Sequence, residues 1–153
     1  MEVTVSRLGA KDRDRARALF TMMAAVFDEP NSELSDGYLD RLLASEAFWA
    51  LAASREGQIV GGLTAHMLPM TRCEVSEIFI YDLAVHEAHQ RQGVGRKLVQ
   101  ELRSAAAQIG ISELFVPADD EDQHALDFYR ALGAAGDPVT IFSFGRRATL
   151  EDD

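Results

Sequence analysis

The sequence predicts an α/β fold on a single mixed sheet. Three observations carry this reading. Apolar periods of two and of about 3.6 residues alternate along the chain. A short polar turn joins two strand-like segments, and a helix-length crossover separates two later ones. A tight hairpin makes its strands antiparallel, whereas strand, helix, strand makes them parallel, so the sheet holds both kinds of pairing.

Each element has its own signal. Val3 to Leu8 reads as a short strand, and Lys11 to Val26 as a helix in which Ala16, Leu19, Phe20, Met23 and Phe27 recur at helical spacing. The run Asp28-Glu29-Pro30-Asn31-Ser32 breaks it, and Ser35 is placed to cap a second helix carrying Tyr38, Leu39, Leu42 and Leu43. Phe48 to Ser54 and Gln58 to Met67 read as strands joined by Arg55-Glu56-Gly57. Glu74 to Val85 is a long strand whose apolar run Ile78-Phe79-Ile80-Tyr81 predicts burial on both faces. A helix follows from Gly93 to Ile109, with Val94, Leu98, Leu102, Ala105 and Ala106 as its stripe and Gly110 as its stop. A strand from Leu114 to Ala118, a helix from Gln123 to Leu132 closed by Gly133, and a final strand from Val139 to Phe144 complete the order βααβββαβαβ.

The chain of 153 residues is expected to form one domain, residues 1–153, since no repeat or low-complexity linker divides it. It carries 25 acidic against 15 basic residues, a net charge of −10, which disfavours nucleic acid and raises the question of a cationic partner. Cys73 is the single cysteine, so there is no intramolecular disulfide and no thiolate cluster for zinc. The opening Met1-Glu2-Val3-Thr4-Val5 lacks the basic and apolar regions of a signal peptide, and no run reaches the roughly 18 apolar residues of a membrane span. A soluble, cytoplasmic protein without membrane contact is the expectation.

The most informative segment runs from the strand end Tyr81-Asp82-Leu83-Ala84-Val85 to Gln90-Arg91-Gln92-Gly93-Val94-Gly95-Arg96-Lys97. A helix that opens on two closely spaced glycines presents unpaired N–H groups and the positive end of its dipole, which suits a pyrophosphate. Arg91, Arg96 and Lys97 add positive charge within an acidic chain. The alternative is that the glycines only relax a turn and the cations form a solvated face. Neither the three-glycine dinucleotide pattern nor the G-K-[ST] of a P-loop is present.

Gln90 to Gly95 resembles the Q/R-x-x-G-x-G/A signature of the GNAT superfamily of acetyl-CoA-dependent N-acetyltransferases, and Ala125-Leu126-Asp127-Phe128-Tyr129-Arg130-Ala131-Leu132-Gly133 is similar to its later A-x-x-F-Y-x-x-x-G helix. The resemblance implies a mostly antiparallel sheet flanked by helices, splayed between the fourth and fifth strands. More narrowly, Phe48 to Ala53, Glu77 to Val85 and Phe115 to Asp119 resemble aminoglycoside 3-N-acetyltransferases of the AAC(3)-I type, which acetylate the 3-amino group of 2-deoxystreptamine.

The resemblance also implies roles. Leu83, Ala84 and Val85 offer backbone groups to the pantetheine arm of acetyl-CoA and an N–H to its carbonyl oxygen. The turn Gln90, Arg91, Gln92, Gly93, Val94, Gly95 and Arg96 holds the pyrophosphate. Tyr129 protonates the departing thiolate; its other reading is packing beside Phe128. Asp119 is the candidate for receiving the substrate ammonium and taking its proton. Asp120, Glu121 and Asp122, with Asp82 and Glu29, are candidates for an acidic acceptor pocket, as are Asp28 and Glu77. Asp122 departs from the pattern, which often has Asn there. No metal is expected, because His86 and His89 lack further ligands at a recognised spacing.

The implied activity is acetyl transfer to the 3-amino group of an aminoglycoside. Transfer to a polyamine, amino acid or protein amine, and a non-catalytic acetyl-CoA-binding module, are the alternatives. A homodimer is a further expectation, with Val139 to Phe144 contributing.

Overall fold

Glu56 and Gly57 both take positive φ, 52° and 80°, and so form the two-residue turn whose twist matches that of a β-hairpin. This turn joins β2 (Phe48–Arg55) to β3 (Gln58–Pro69), with Arg55 opposite Gln58. In the computed structural model, residues 2–30 and 33–145 are described, so Asn31 and Ser32 of the helix-breaking run lie outside the described residues. The other elements are β1 (Thr4–Arg7), α1 (Arg13–Val26), α2 (Asp36–Ala44), β4 (Ser76–Val85), a 3₁₀ turn (Glu87–His89), α3 (Val94–Gln108), β5 (Leu114–Phe115) and α4 (Gln123–Ala131). They fall into two compact units, divided after Pro117.

The first unit holds the sheet. Among the described residues its order is β1-β2-β3-β4-β5, antiparallel except for the parallel pair β4–β5. The sheet is therefore mixed and mostly antiparallel, as expected. Helices cover both of its faces. On one, Ala16, Leu19 and Met23 of α1 pack with Leu43, Phe48, Ala50, Ala52 and Ala84. On the other, Val94, Leu98, Leu102 and Ala106 of α3 are buried. Full burial of a leucine such as Leu19 or Leu98 contributes about 1.5–3 kcal/mol. Gly61 and Gly62, neighbours on β3, mark the two faces. A Cβ on Gly61 would meet Val94 at 2.9 Å, and one on Gly62 would meet Leu19 at 2.2 Å.

Local chemistry explains the α1–α2 side. The Ser35 hydroxyl accepts the Tyr38 N–H at 3.2 Å, capping α2. Arg13 donates both arms of its guanidinium to Asp40, at 2.8 and 2.6 Å, which ties α1 to α2 and holds the Asp40 carboxyl below its ordinary range.

Three expectations are corrected. The fifth strand pairs over Leu114–Phe115 only, not to Ala118; Pro117 has no N–H to continue the ladder. Residues 139–144 form no strand. Val139, Ile141, Phe142 and Phe144 are exposed, Phe144 at 99%, and an alternating apolar pattern becomes a strand only when a partner completes its ladder. The run Ile78 to Tyr81 is buried on one face rather than two: Ile78 and Ile80 are buried, but Tyr81 is 64% exposed.

Candidate functional site

The opening of the sheet follows from the short β5. Ile78 pairs with Leu114 and Phe79 with Phe115, and beyond them β4 runs on to Val85 with only β3 beside it among the described strands. Leu83, Ala84 and Val85 lie on this stretch, opposite Leu63, Gly62 and Gly61. Backbone groups on the open side of a strand are available to a ligand.

The chain then turns in a fixed way. The His86 N–H donates to the Val60 carbonyl at 2.8 Å, and His86 Nδ1 accepts the Ala88 N–H at 3.2 Å. The Gln90 amide reaches back to the Val85 carbonyl at 3.0 Å, so this side chain fastens the turn to the strand end. Arg91 (φ 64°) and Gly93 (φ 83°) are both left-handed, and α3 starts at Val94 with no side-chain cap. Space around Gly93 is open where a Cβ would stand. Arg91, Gln92 and Arg96 are exposed, Gly95 and Lys97 half-buried, and Val94 is buried as the anchor of the turn. An uncapped helix of 15 residues, a left-handed glycine and three cations suit a pyrophosphate.

On the α1 face, β4 carries a bulge. Ala65 pairs with Ile80 and Thr64 with Asp82, leaving Tyr81 as the extra residue. A bulge puts two successive side chains on one face. Here Tyr81 meets His66 and Phe79, while Asp82 stands across from Thr64 on that same face. Burial, with the charge of Glu29 added to it, raises the pKa of the half-buried Asp82. Glu29 is brought to Asp82 by the end of α1, where its N–H donates to the Ala24 carbonyl at 2.9 Å and Asp28 takes a φ of 54°. A cleft of about 780 Å³ lies between the outer face of α1, at Thr21, Met22, Ala25 and Val26, and the residues His86 and Glu87. Glu77 stands apart from Asp82, five positions up the strand and about 17 Å away at strand rise.

In the second unit, Asp119 to Asp122 form a turn that leads into α4. Asp119 Oδ1 accepts the Glu121 N–H at 2.9 Å, and the Asp119 carbonyl accepts the Asp122 N–H at 2.9 Å. Asp122 Oδ1 accepts the Ala125 N–H at 3.1 Å and caps the helix. Asp120 and Glu121 are exposed. Tyr129 is half-buried beside Phe128, and burial with the charge of Asp122 pushes its hydroxyl up to about 12.

Residues 14–134 match the model of the acetyltransferase (GNAT) family. The chain belongs to the GNAT family. Among solved structures, it is similar to an aminoglycoside acetyltransferase from an uncultured soil metagenomic sample. That protein, in complex with trehalose, is 36% identical with a TM-score of 0.90, covering 94% of this chain and 96% of that one. In complex with sisomicin it is 35% identical, with a TM-score of 0.89 over the same shares. A second aminoglycoside acetyltransferase from such a sample is 34% identical, with a TM-score of 0.90 over 95% and 99%. Among curated proteins, the thialysine N-epsilon-acetyltransferase of Bos taurus is 28% identical over 79 residues, 52% of this chain and 46% of that protein. The match thus spans under half the length of that relative.

Two parts of this GNAT site escape a reading of the sequence. Arg55, at the end of β2, donates to the Gln92 side chain and lies 3.2 Å from His89 Nδ1, adding a fourth cation at the turn. Its hairpin position is visible in the sequence, but its partners, 34 and 37 residues away, are not. The bulge at Tyr81 is the other, since nothing in Ile78 to Leu83 marks where the alternation slips. No group of three or more His, Cys, Asp or Glu among the described residues could hold a metal, and no helix among them is long and apolar enough to cross a membrane.

Proposed function

We propose that the protein is an acetyl-CoA-dependent N-acetyltransferase of aminoglycosides, acting on the 3-amino group of the 2-deoxystreptamine ring. The observation that carries this reading is that Asp82, on β4 beyond its pairing with β5, faces the charge of Glu29 from the end of α1, on the strand whose end leads through residues 86–93 into the cationic entrance of α3. Clustered carboxylates steer and hold a polyammonium sugar, and the acidic chain as a whole supports its approach. Likeness at 34–36% identity to aminoglycoside acetyltransferases, one of them in complex with sisomicin, supports the same class. The choice of the 3-amino group rests on the resemblance of Phe48 to Ala53, Glu77 to Val85 and Phe115 to Asp119 to the AAC(3)-I type.

Acetyl-CoA supplies the activated acetyl group as a thioester. The backbone N–H groups of Gln92 to Arg96, with Arg91, Arg96 and Lys97, hold its pyrophosphate. An N–H at Leu83 to Val85 polarises the carbonyl at the open strand end. Asp82 receives the substrate ammonium and takes its proton, because a carboxylate of raised pKa is a stronger base than an exposed one. The amine lone pair then forms the C–N bond as the C–S bond breaks, and the proton left on the acylated nitrogen passes through water to the tyrosinate formed when Tyr129 protonates the sulfur, giving the neutral amide and free thiol. As the resemblance to the family's tyrosine implies, Tyr129 gives its proton to the leaving sulfur; its hydroxyl carries that proton at neutral pH, as any tyrosine does, and burial holds it more firmly. Asp119 is the alternative base, with Asp120, Glu121 and Asp122 as acceptor contacts. Against Asp119 stands its own bond to the Glu121 N–H.

Transfer to another amine is the second reading, favoured by the thialysine acetyltransferase relative. A panel of sisomicin, kanamycin, spermidine and a lysine peptide, followed by thiol release with NMR of the product, separates the readings. Turnover of sisomicin with acetyl on N3 is expected. Turnover confined to spermidine or the peptide rejects the aminoglycoside assignment, and acetyl-CoA binding without thiol release for any amine marks a non-catalytic module.

A further inference from the structure

The α1 face of the sheet carries a chain of ring contacts that the mechanism does not use. Phe20 meets Phe48 (centroids 6.3 Å), Phe48 meets His66 (5.4 Å), His66 meets Tyr81 (5.9 Å), Tyr81 meets Phe79 (5.8 Å) and Phe79 meets Phe115 (5.0 Å). One end is buried beneath α1, where Phe48 is 7% exposed. The other is open: Tyr81 is 64% and Phe115 39% exposed. Tyr81 is the bulged residue, so its ring stands on the face that also holds Asp82. His66 and Phe79 pack against it at 77° and 65°, which fixes its orientation before any ligand arrives.

Tyr81, Phe79 and Phe115 touch in sequence and so form one contiguous aromatic surface with two exposed rings, and contiguous rather than scattered apolar exposure points to a ligand. The occupant is set by what adjoins that surface. Asp82 is the next residue in the chain and Glu29 acts on Asp82 electrostatically, so the surface suits a ligand that is apolar on a face and cationic at its edge. Resting on the aminoglycoside reading above, we propose that Tyr81 is a specificity-determining residue. Its ring carries one sugar or aminocyclitol ring of the acceptor, while Asp82 and Glu29 take the ammonium groups at that ring's edge. The face of an aromatic ring attracts cations, and a tyrosine pinned by neighbours loses little entropy on binding.

Tyr81→Leu keeps apolar bulk and removes the ring; Tyr81→Phe keeps the ring. With sisomicin as acceptor, Tyr81→Leu is expected to raise KM about tenfold and Tyr81→Phe by less than threefold, with the KM for acetyl-CoA within twofold of the parent protein in both. Tyr81→Ala provides a second ring-free variant if Tyr81→Leu does not fold, and thermal melts accompany every measurement. Equal sisomicin KM in the parent and a folded ring-free variant overturns the platform and leaves the aminoglycoside reading intact. Absence of sisomicin turnover in the parent protein rejects that reading and this inference with it. A fall in oligomeric mass of Tyr81→Leu by light scattering assigns the face to a second copy of the chain and overturns the inference too.

Discussion

Asp82 with Glu29, and Asp119 with its neighbours to Asp122, are two carboxylate groups of the same chemistry in different settings. The first pair is assembled across more than fifty residues by α1 and a bulged strand, and burial together with mutual repulsion raises the pKa of Asp82. The second is contiguous and exposed, and two of its carboxylates are occupied with backbone N–H groups of their own turn. Density of acid in the sequence is therefore a poor guide to basicity. A carboxylate gains proton affinity by losing water and facing another charge; one that accepts N–H bonds at a helix entrance is serving the backbone.

The sharpest way to break this contrast is to neutralise one member of each group. Asp82→Asn is expected to lower kcat/KM for sisomicin by about 10²–10⁴, the usual worth of a positioned base. Asp119→Asn keeps an amide oxygen for the Glu121 N–H, so a change below about tenfold is expected in the same steady-state assay, because no base is lost. An equal loss in both variants, or a reversed order, returns the base to Asp119.

A smaller effect comes from the packing that carries Glu29 to Asp82. Gly62→Ala drives a methyl group into Leu19, which overpacking makes worth about 1–3 kcal/mol. Differential scanning calorimetry should show a midpoint lower by about 2–4 °C per kcal/mol for a chain of this size. An unchanged midpoint means that α1 moves freely over β3 and that the pairing of the two carboxylates is not held by this contact.

The smallest effect is a displacement on the pH axis. Glu29→Gln removes a negative charge that opposes ionisation of Asp82, so the Asp82 pKa falls toward its ordinary value. A base acts only when deprotonated, so the acid limb of the kcat/KM profile shifts to lower pH. A limb that stays in place, or moves up, separates Glu29 from Asp82 in function.

Much of this was legible in the sequence because it depends on neighbours. The order of elements through α4, the Ser35 cap, the hairpin at Glu56-Gly57 and the left-handed Gly93 before α3 all follow from residues within a turn of one another. What escaped depends on partners distant in the chain. The alternation of Ile78 to Leu83 does not say where β3 forces a bulge, and the two-residue length of β5 reflects Pro117 meeting a ladder rather than any loss of apolar pattern. Val139 to Phe144 carries a strand's periodicity but is exposed, which shows how far β-propensity depends on a waiting edge. The turn from Gln90 to Gly95 was readable as an anion cradle. The braces from Gln90 to Val85 and from Arg55 to Gln92 were not, because they exist only once the strands are laid side by side.

Gly61 and Gly62 have a consequence for how such a protein can vary. Leu19 and Met23 press on one side of this dipeptide and Val94 and Leu98 on the other, so at this point the wall between the two helices is bare backbone. The spacing between the element that presents Glu29 and the element that opens the anion cradle is set by the thickness of a peptide chain. It contains no side chain that drift could lengthen or trim. A change in an acceptor contact on an outer loop leaves that gauge untouched, whereas at the two glycines a single added carbon would reset it.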